Sequence, residues 1–159
     1  MTKTYYGESA VRQVAFHYAY DLMPSHVIHL IKEEGYVTGT YKDDVGVTTY
    51  GVGQTGEWVG KNLFTDVLPY YESRCAFLVP QYSALPDAGK AAVLSAVYRG
   101  DLGPRTARLL ADCKYEEAAI EYLNHNEYRE RKEVNRNDGV VLRMERNARA
   151  FKELGEMHR

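Results

Sequence analysis

Cysteine is scarce. Only Cys75 and Cys113 occur in 159 residues, and neither sits in a CxxC pattern or another metal-ligand spacing. A disulfide-stapled scaffold is therefore excluded, and the two read as separate thiols in or near a core. A bridge between them stays open only for an oxidising compartment. Long apolar runs are missing as well. The most apolar N-terminal stretch, Val14 to Tyr20, is short, contains His17 and soon meets Asp21 and Pro24. Nothing reaches the roughly 18 continuous apolar residues of a membrane span, and no secretory signal is evident. A surplus of one charge is also absent. Lys and Arg total 20 against 22 Asp and Glu, a formal net charge of −2, which argues against a protein living by non-specific attraction to nucleic acid or anionic membrane. Linkers rich in Gly, Ser or Pro, internal repeats and low-complexity tracts are lacking too.

What remains is an ordinary globular composition, 45% apolar and 26% charged. A chain of this length reads as one domain that buries about 68–70% of its unfolded surface. Residues 8–22 carry Val11, Val14, Ala15, Tyr18 and Leu22 at helical spacing. Pro24 suits the first turn of a second helix, with Val27, Ile28 and Ile31 on one face and Gly35 as its stop. Residues 36–54 are rich in Tyr, Thr, Val and Gly, with turn chemistry at Asp43, Asp44 and Gly46, and predict a small antiparallel sheet. After about residue 62 the helical period returns. Asp87 to Gly100 predicts one helix, Tyr115 to Leu123 the clearest amphipathic stripe, and Val140 to Leu154 a last helix with Met144, Ala148 and Phe151 inward. The fold class is α+β: a small antiparallel sheet early, and a mostly helical remainder.

Most residues that could carry chemistry have a plain explanation. Tyr115, Tyr122 and Phe151 fit a core. Of the five histidines, His17, His26, His29, His125 and His158, only His26 and His29 have ligand spacing, and no third ligand accompanies them. No metal and no cofactor are expected. Lys42-Asp43-Asp44 lacks the regular oxygen ligands of a calcium loop.

The informative stretch runs from Glu33-Glu34-Gly35 to Gly51-Val52-Gly53-Gln54. A carboxylate closes a helix, Asp43 follows nine positions later at a turn, and Thr49 six after that on the returning strand. A helix end facing a hairpin can set two acids across a cleft, as glycoside hydrolysis requires. Paired acids alone are a weak signal, because charged residues beside turns are usually solvated. Glu33 and Asp44 are neighbours to be told apart from Glu34 and Asp43. Helical geometry turns Glu33 about 100° from Glu34, so the two cannot face one cleft equally.

Taken together, Glu34-Gly35, Tyr41-Lys42-Asp43 and Gly46-Val47-Thr48-Thr49-Tyr50-Gly51-Val52-Gly53 resemble the signature of the phage-type lysozymes, the family of the T-even bacteriophage enzyme. That signature is Glu-Gly, then Tyr-x-Asp, then Gly-x-x-Thr-x-Gly-x-Gly, and it matches without a gap. Downstream, Leu85 to Gly100 is similar to the family's long central helix, Tyr115-Glu116-Glu117-Ala118-Ala119 to its aromatic-x-Glu-Ala-Ala segment, and Gly139-Val140-Val141-Leu142-Arg143 to the start of its last helix. The resemblance covers roughly residues 25–154 and leaves 1–23 as an N-terminal addition, expected to be helical. It implies a single lysozyme-like domain, with an active-site lobe over 24–60 and a helical lobe over 61–159 joined by a long helix.

The resemblance further implies a monomeric muramidase that cleaves the β-1,4 bond between N-acetylmuramic acid and N-acetylglucosamine with inversion. Its partner would be bacterial peptidoglycan, with no nucleic acid and no stable membrane insertion. It would be made in the host cytoplasm and act on the cell wall during lysis. Glu34 would be the general acid, and partial burial at a helix end is the physical cause that would raise its pKa as that role requires. Asp43 would help to activate water, and the Thr49 hydroxyl would hold it. Inversion asks for carboxyls about 6.5–9.5 Å apart. Tyr41, Arg99 and Arg143 would contact substrate or site, Arg143 by reaching back to orient Glu34; its plain alternative is a surface residue at a helix start. Two departures stand out. Gln54 occupies the position of the family's histidine and reads as structural, and Tyr98-Arg99 replaces an aromatic followed by Asn or Gln. Two other classes remain: a non-catalytic descendant that binds peptidoglycan or protein, and a transglycosylase that needs neither Asp43 nor Thr49.

Overall fold

The computed structural model describes residues 2–157; Met1, His158 and Arg159 lie outside the described residues, so the histidine at 158 is not placed. The chain divides into two compact units, residues 1–70 and 71–159. The boundary expected near residue 60 thus falls ten residues later, inside a helix.

In the first unit, β1 (Thr4–Tyr5) precedes α1 (Gly7–Tyr18), α2 (Ser25–Glu34), β2 (Tyr36–Lys42) and β3 (Thr48–Gly51). The N-terminal segment is therefore a strand as well as a helix, too short a strand for alternation to reveal. β1 completes a three-stranded antiparallel sheet of order β1-β2-β3. Thr4 pairs with Val37 and Tyr5 with Tyr36, and β2 and β3 pair Tyr41 with Thr49. Helix α1 buries Ala10 and Val14 but stops four residues short of the expected stripe, because Ala19 turns left-handed (φ 56°) and its N–H closes onto Ala15 and Phe16 carbonyls. Leu22 is consequently 90% exposed rather than inward. Helix α2 buries Val27, Leu30 and Ile31 and ends at Gly35 as expected.

After β3, a 3-10 turn (Gly56–Trp58) and a single π-turn (Leu63–Val67) lead to α3 (Leu68–Leu78). Asn62 caps the π-turn, its Oδ1 accepting from the Phe64 and Thr65 amides at 2.9 and 3.0 Å. The division between the units lies within α3. That helix has 11 residues, and the longest described helix is instead the last, with 19. The expected central helix is present over Asp87–Arg99 and ends at Gly100 as anticipated, with 13 residues.

The second unit continues with α4 (Asp87–Arg99), α5 (Pro104–Ala111), α6 (Tyr115–Leu123), α7 (Asn126–Val134) and α8 (Gly139–Met157). Tyr122 and Phe151 meet edge to face at 5.4 Å, and a Cβ on Gly89 would lie 2.9 Å from Leu154, so α4 and α8 approach closely. No described helix is long and apolar enough to cross a membrane.

Both cysteines are free, Cys75 buried and Cys113 exposed. Cys113 departs from the core expectation because it occupies a left-handed turn after α5 (φ 59°). Burial, aided by the Glu72 carboxylate, pushes the Cys75 thiol up to about 12. At about pH 8 a thiol reagent should modify Cys113 alone in the native protein. Mass spectrometry should detect a second adduct only after unfolding.

Candidate active site

Glu34 is the last residue of α2, and the chain turns at once into β2. Gly35 makes that corner possible at φ +74°, where a Cβ would meet the Tyr5 carbonyl oxygen at 2.8 Å. The Glu34 side chain, half-buried, lies directly over Gly53. A Cβ built on that glycine would collide with Glu34 Oε1, and its φ of +59° independently favours glycine. The Gly-x-Gly of the sequence thus provides a bare backbone seat for the carboxyl. The motif was visible beforehand, but its role as a seat was not.

Glu33 is occupied within its own helix. Its Oε1 lies 3.1 Å from His29 Nε2, an i, i+4 pair. This separates the two adjacent acids as helical geometry anticipates, and it gives His29 a partner other than a metal. Among the described residues no group of three His, Cys, Asp or Glu could hold a metal ion.

Asp43 opens the hairpin turn. Its N–H and C=O engage the Val47 carbonyl and the Gly46 amide, each at 3.0 Å. Gly46 at φ +84° completes the turn. One carboxylate oxygen, Oδ1, accepts from the Val45 and Val47 amides at 3.0 and 2.9 Å. Among the described residues, all of Asp43's hydrogen bonds lie within this turn, and Oδ2 accepts none. The turn therefore fixes the carboxylate while leaving one oxygen available.

Thr49 is half-buried on β3 directly opposite Tyr41. Cross-strand partners point to one face of a sheet, so the hydroxyl of Thr49 and the ring of Tyr41, 45% exposed, share a side of the hairpin. Thr49 also leads straight into the Gly51-Val52-Gly53 turn on which Glu34 rests. The structure thus joins Glu34 to the end of β3 and Thr49 to Tyr41, and sets Asp43 at the hairpin tip.

Gln54 is structural, as expected. It is 2% exposed; its Nε2 donates to the Trp58 and Lys61 carbonyls at 3.1 and 2.9 Å, and its Oε1 accepts from the Val52 amide at 3.3 Å. A Cβ on Gly51 would lie 2.6 Å from that Oε1. The glutamine holds together the turn that seats Glu34.

In the second unit, Arg99 is the exposed last residue of α4. Arg143 is no surface residue, being only 6% exposed, and within its own unit its Nη2 donates to Asp101 Oδ2 at 2.5 Å. Tyr122 OH donates to the other oxygen of Asp101 at 2.7 Å. Asn147 Nδ2 reaches Tyr122 OH at 3.2 Å and Ser95 Oγ at 3.0 Å. Arg143 Nη1 is buried and has no hydrogen-bond partner among the described residues. Asp101 was passed over in the sequence because its partner lies 42 positions away, a separation that no local pattern reports.

Comparison of the chain with protein-family models, curated proteins and solved structures finds no match. The lysozyme resemblance accordingly rests on the sequence motif.

Two substitutions test these arrangements. Gln54→Ala strands three backbone groups and should lower unfolding free energy by about 1–3 kcal/mol in urea titrations. Asp101→Ala leaves the buried Arg143 charge uncompensated and should cost about 3–5 kcal/mol by the same measurement.

Proposed function

We propose that the protein is a muramidase of the phage-lysozyme type, hydrolysing the glycan strands of bacterial peptidoglycan. The observation that carries this reading is the seating of the Glu34 carboxyl on Gly53, in the turn that follows the strand bearing Thr49.

In the proposed reaction, protonated Glu34 gives its proton to the glycosidic oxygen as the bond from that oxygen to the anomeric carbon breaks. Asp43, through Oδ2, takes a proton from a water held by Thr49, and the water oxygen bonds the anomeric carbon from the opposite face. One C–O bond breaks and one forms, with inversion. Solvent exchange returns the proton from Asp43 to Glu34. Tyr41 offers an exposed ring beside Thr49 for sugar contact, and Arg99 remains a substrate-side candidate by resemblance alone; burial of Arg143 removes it from that role.

A second reading has a specific observation behind it. The hydrogen bonds of Asp43 to its own turn explain that residue without chemistry, as a transglycosylase using Glu34 alone would allow. The two readings differ in their products, a reducing end or an anhydro sugar.

Glu34→Gln should abolish turbidity loss of permeabilised Gram-negative cells, a fall of at least about 10³-fold, while keeping the circular dichroism of the parent. Unchanged activity in that variant overturns the assignment. Mass spectrometry of the released muropeptides should find reducing ends and no anhydro product, and Asp43→Asn should slow their release by about 10²-fold or more.

A further inference from the structure

We infer that the N-terminal segment, β1 and α1, is a strap that positions the Glu34 carboxyl, with the Tyr6 ring as its contact point. The inference deepens the muramidase reading and rests on it for the meaning of Glu34.

Four observations converge on the end of α2. First, β1 pairs with the residues that immediately follow the acid. Tyr5 lies opposite Tyr36 and Thr4 opposite Val37, and beyond them Thr38 N–H donates to the Lys3 carbonyl at 2.9 Å while the Lys3 amide donates to Thr38 Oγ1 at 2.8 Å. Second, the strap closes on the corner itself. A Cβ on Gly35 would meet the Tyr5 carbonyl at 2.8 Å and two atoms of the Tyr6 ring at 3.1 and 3.2 Å. Third, α1 grips α2 just before the acid, where Glu8 and Lys32 form an ion pair at 2.6 Å. Fourth, the His17 ring of α1 stands 6.0 Å from that of Tyr36, the first residue of β2.

Tyr6 separates positioning from mere folding. Its ring stays 69% exposed although it touches Gly35, so it adds little buried area to the core. What it supplies is a contact at the Gly35 corner, next to the acid, while Gly53 receives Glu34 itself. Removing the Tyr6 contact frees α2's last turn to shift. A displacement of about 1 Å at a reacting group can cost 10²-fold in rate. In this role Tyr6 is a positioning residue and touches no substrate.

The test compares full-length Tyr6→Ala and Tyr6→Phe with the parent, reading kcat and KM on peptidoglycan, the pH profile of kcat, and the carbon-13 titration of the Glu34 carboxyl by NMR. Tyr6→Ala is expected to lower kcat by about tenfold or more with KM changed less than about twofold, and to move both the acid limb of the profile and the Glu34 titration. Tyr6→Phe, which keeps the ring, should restore all three. Should Tyr6→Ala fold poorly, Tyr6→Leu takes its place under the same criteria. Parental kcat and an unmoved Glu34 titration in the truncated variant would overturn the strap. If the parent itself does not turn over peptidoglycan but the Glu34 titration still moves, the strap stands and the muramidase reading falls.

Discussion

A helix that ends on an acid and turns within one residue into a strand needs a corner without a side chain. Gly35 is that corner, and the constraint is twofold: its backbone is left-handed, and the Tyr5 carbonyl fills the space where a Cβ would stand. Much of the first unit follows from this junction. Because the corner is tight, β2 starts beside the acid, β1 can pair with its first residues, and Glu34 is aimed at the far strand. There a second bare backbone, Gly53, receives it, and Gln54 ties down the turn that carries Gly53. Glycine thus appears where backbone and carboxyl must come within van der Waals reach, and glutamine where the resulting turn must be held shut.

The second unit is organised differently, around a buried polar chain. Ser95, Asn147, Tyr122, Asp101 and Arg143 link α4, α6, α8 and the segment after α4 through hydrogen bonds of 2.5–3.2 Å. Burial and the neighbouring Asp101 carboxylate hold the Tyr122 phenol well above its ordinary range, so it stays a donor to Asp101. Such a network fixes which faces of the helices meet, something the flanking apolar residues (Leu94, Phe151, Met144) could satisfy in more than one register. Its cost is the desolvation of an ion pair.

Local patterns made much of this legible. The α+β class, the bounds of α2 and α6, the Gly35 stop, the Gly100 stop and the hairpin at Asp43 all follow from short-range chemistry: caps, turn residues and apolar period. Glu34, Asp43 and Thr49 were singled out by the motif resemblance, because paired acids beside turns are a weak signal by spacing alone. What escaped was set by tertiary pairing. β1 has two residues, too few to alternate, and exists only because β2 lies alongside. One reading of Arg143 was a surface residue at a helix start, whereas it is buried against a partner 42 positions away. Leu22 sat on a helical stripe that Ala19 cuts short. In each case the deciding contact was absent from any window of sequence that could be read alone.

Each compact unit is one unbroken stretch of chain, residues 1–70 and then 71–159. β1, the earliest element, finds its partner strand some thirty residues later, and the glycine that cradles the acid follows within the same stretch. All the contacts that shape the surroundings of Glu34, Asp43 and Thr49 described above are thus encoded before residue 71. On a ribosome, where domains fold as units in order of emergence, the acid, its seat and its strap could come together while the helical half is still being made.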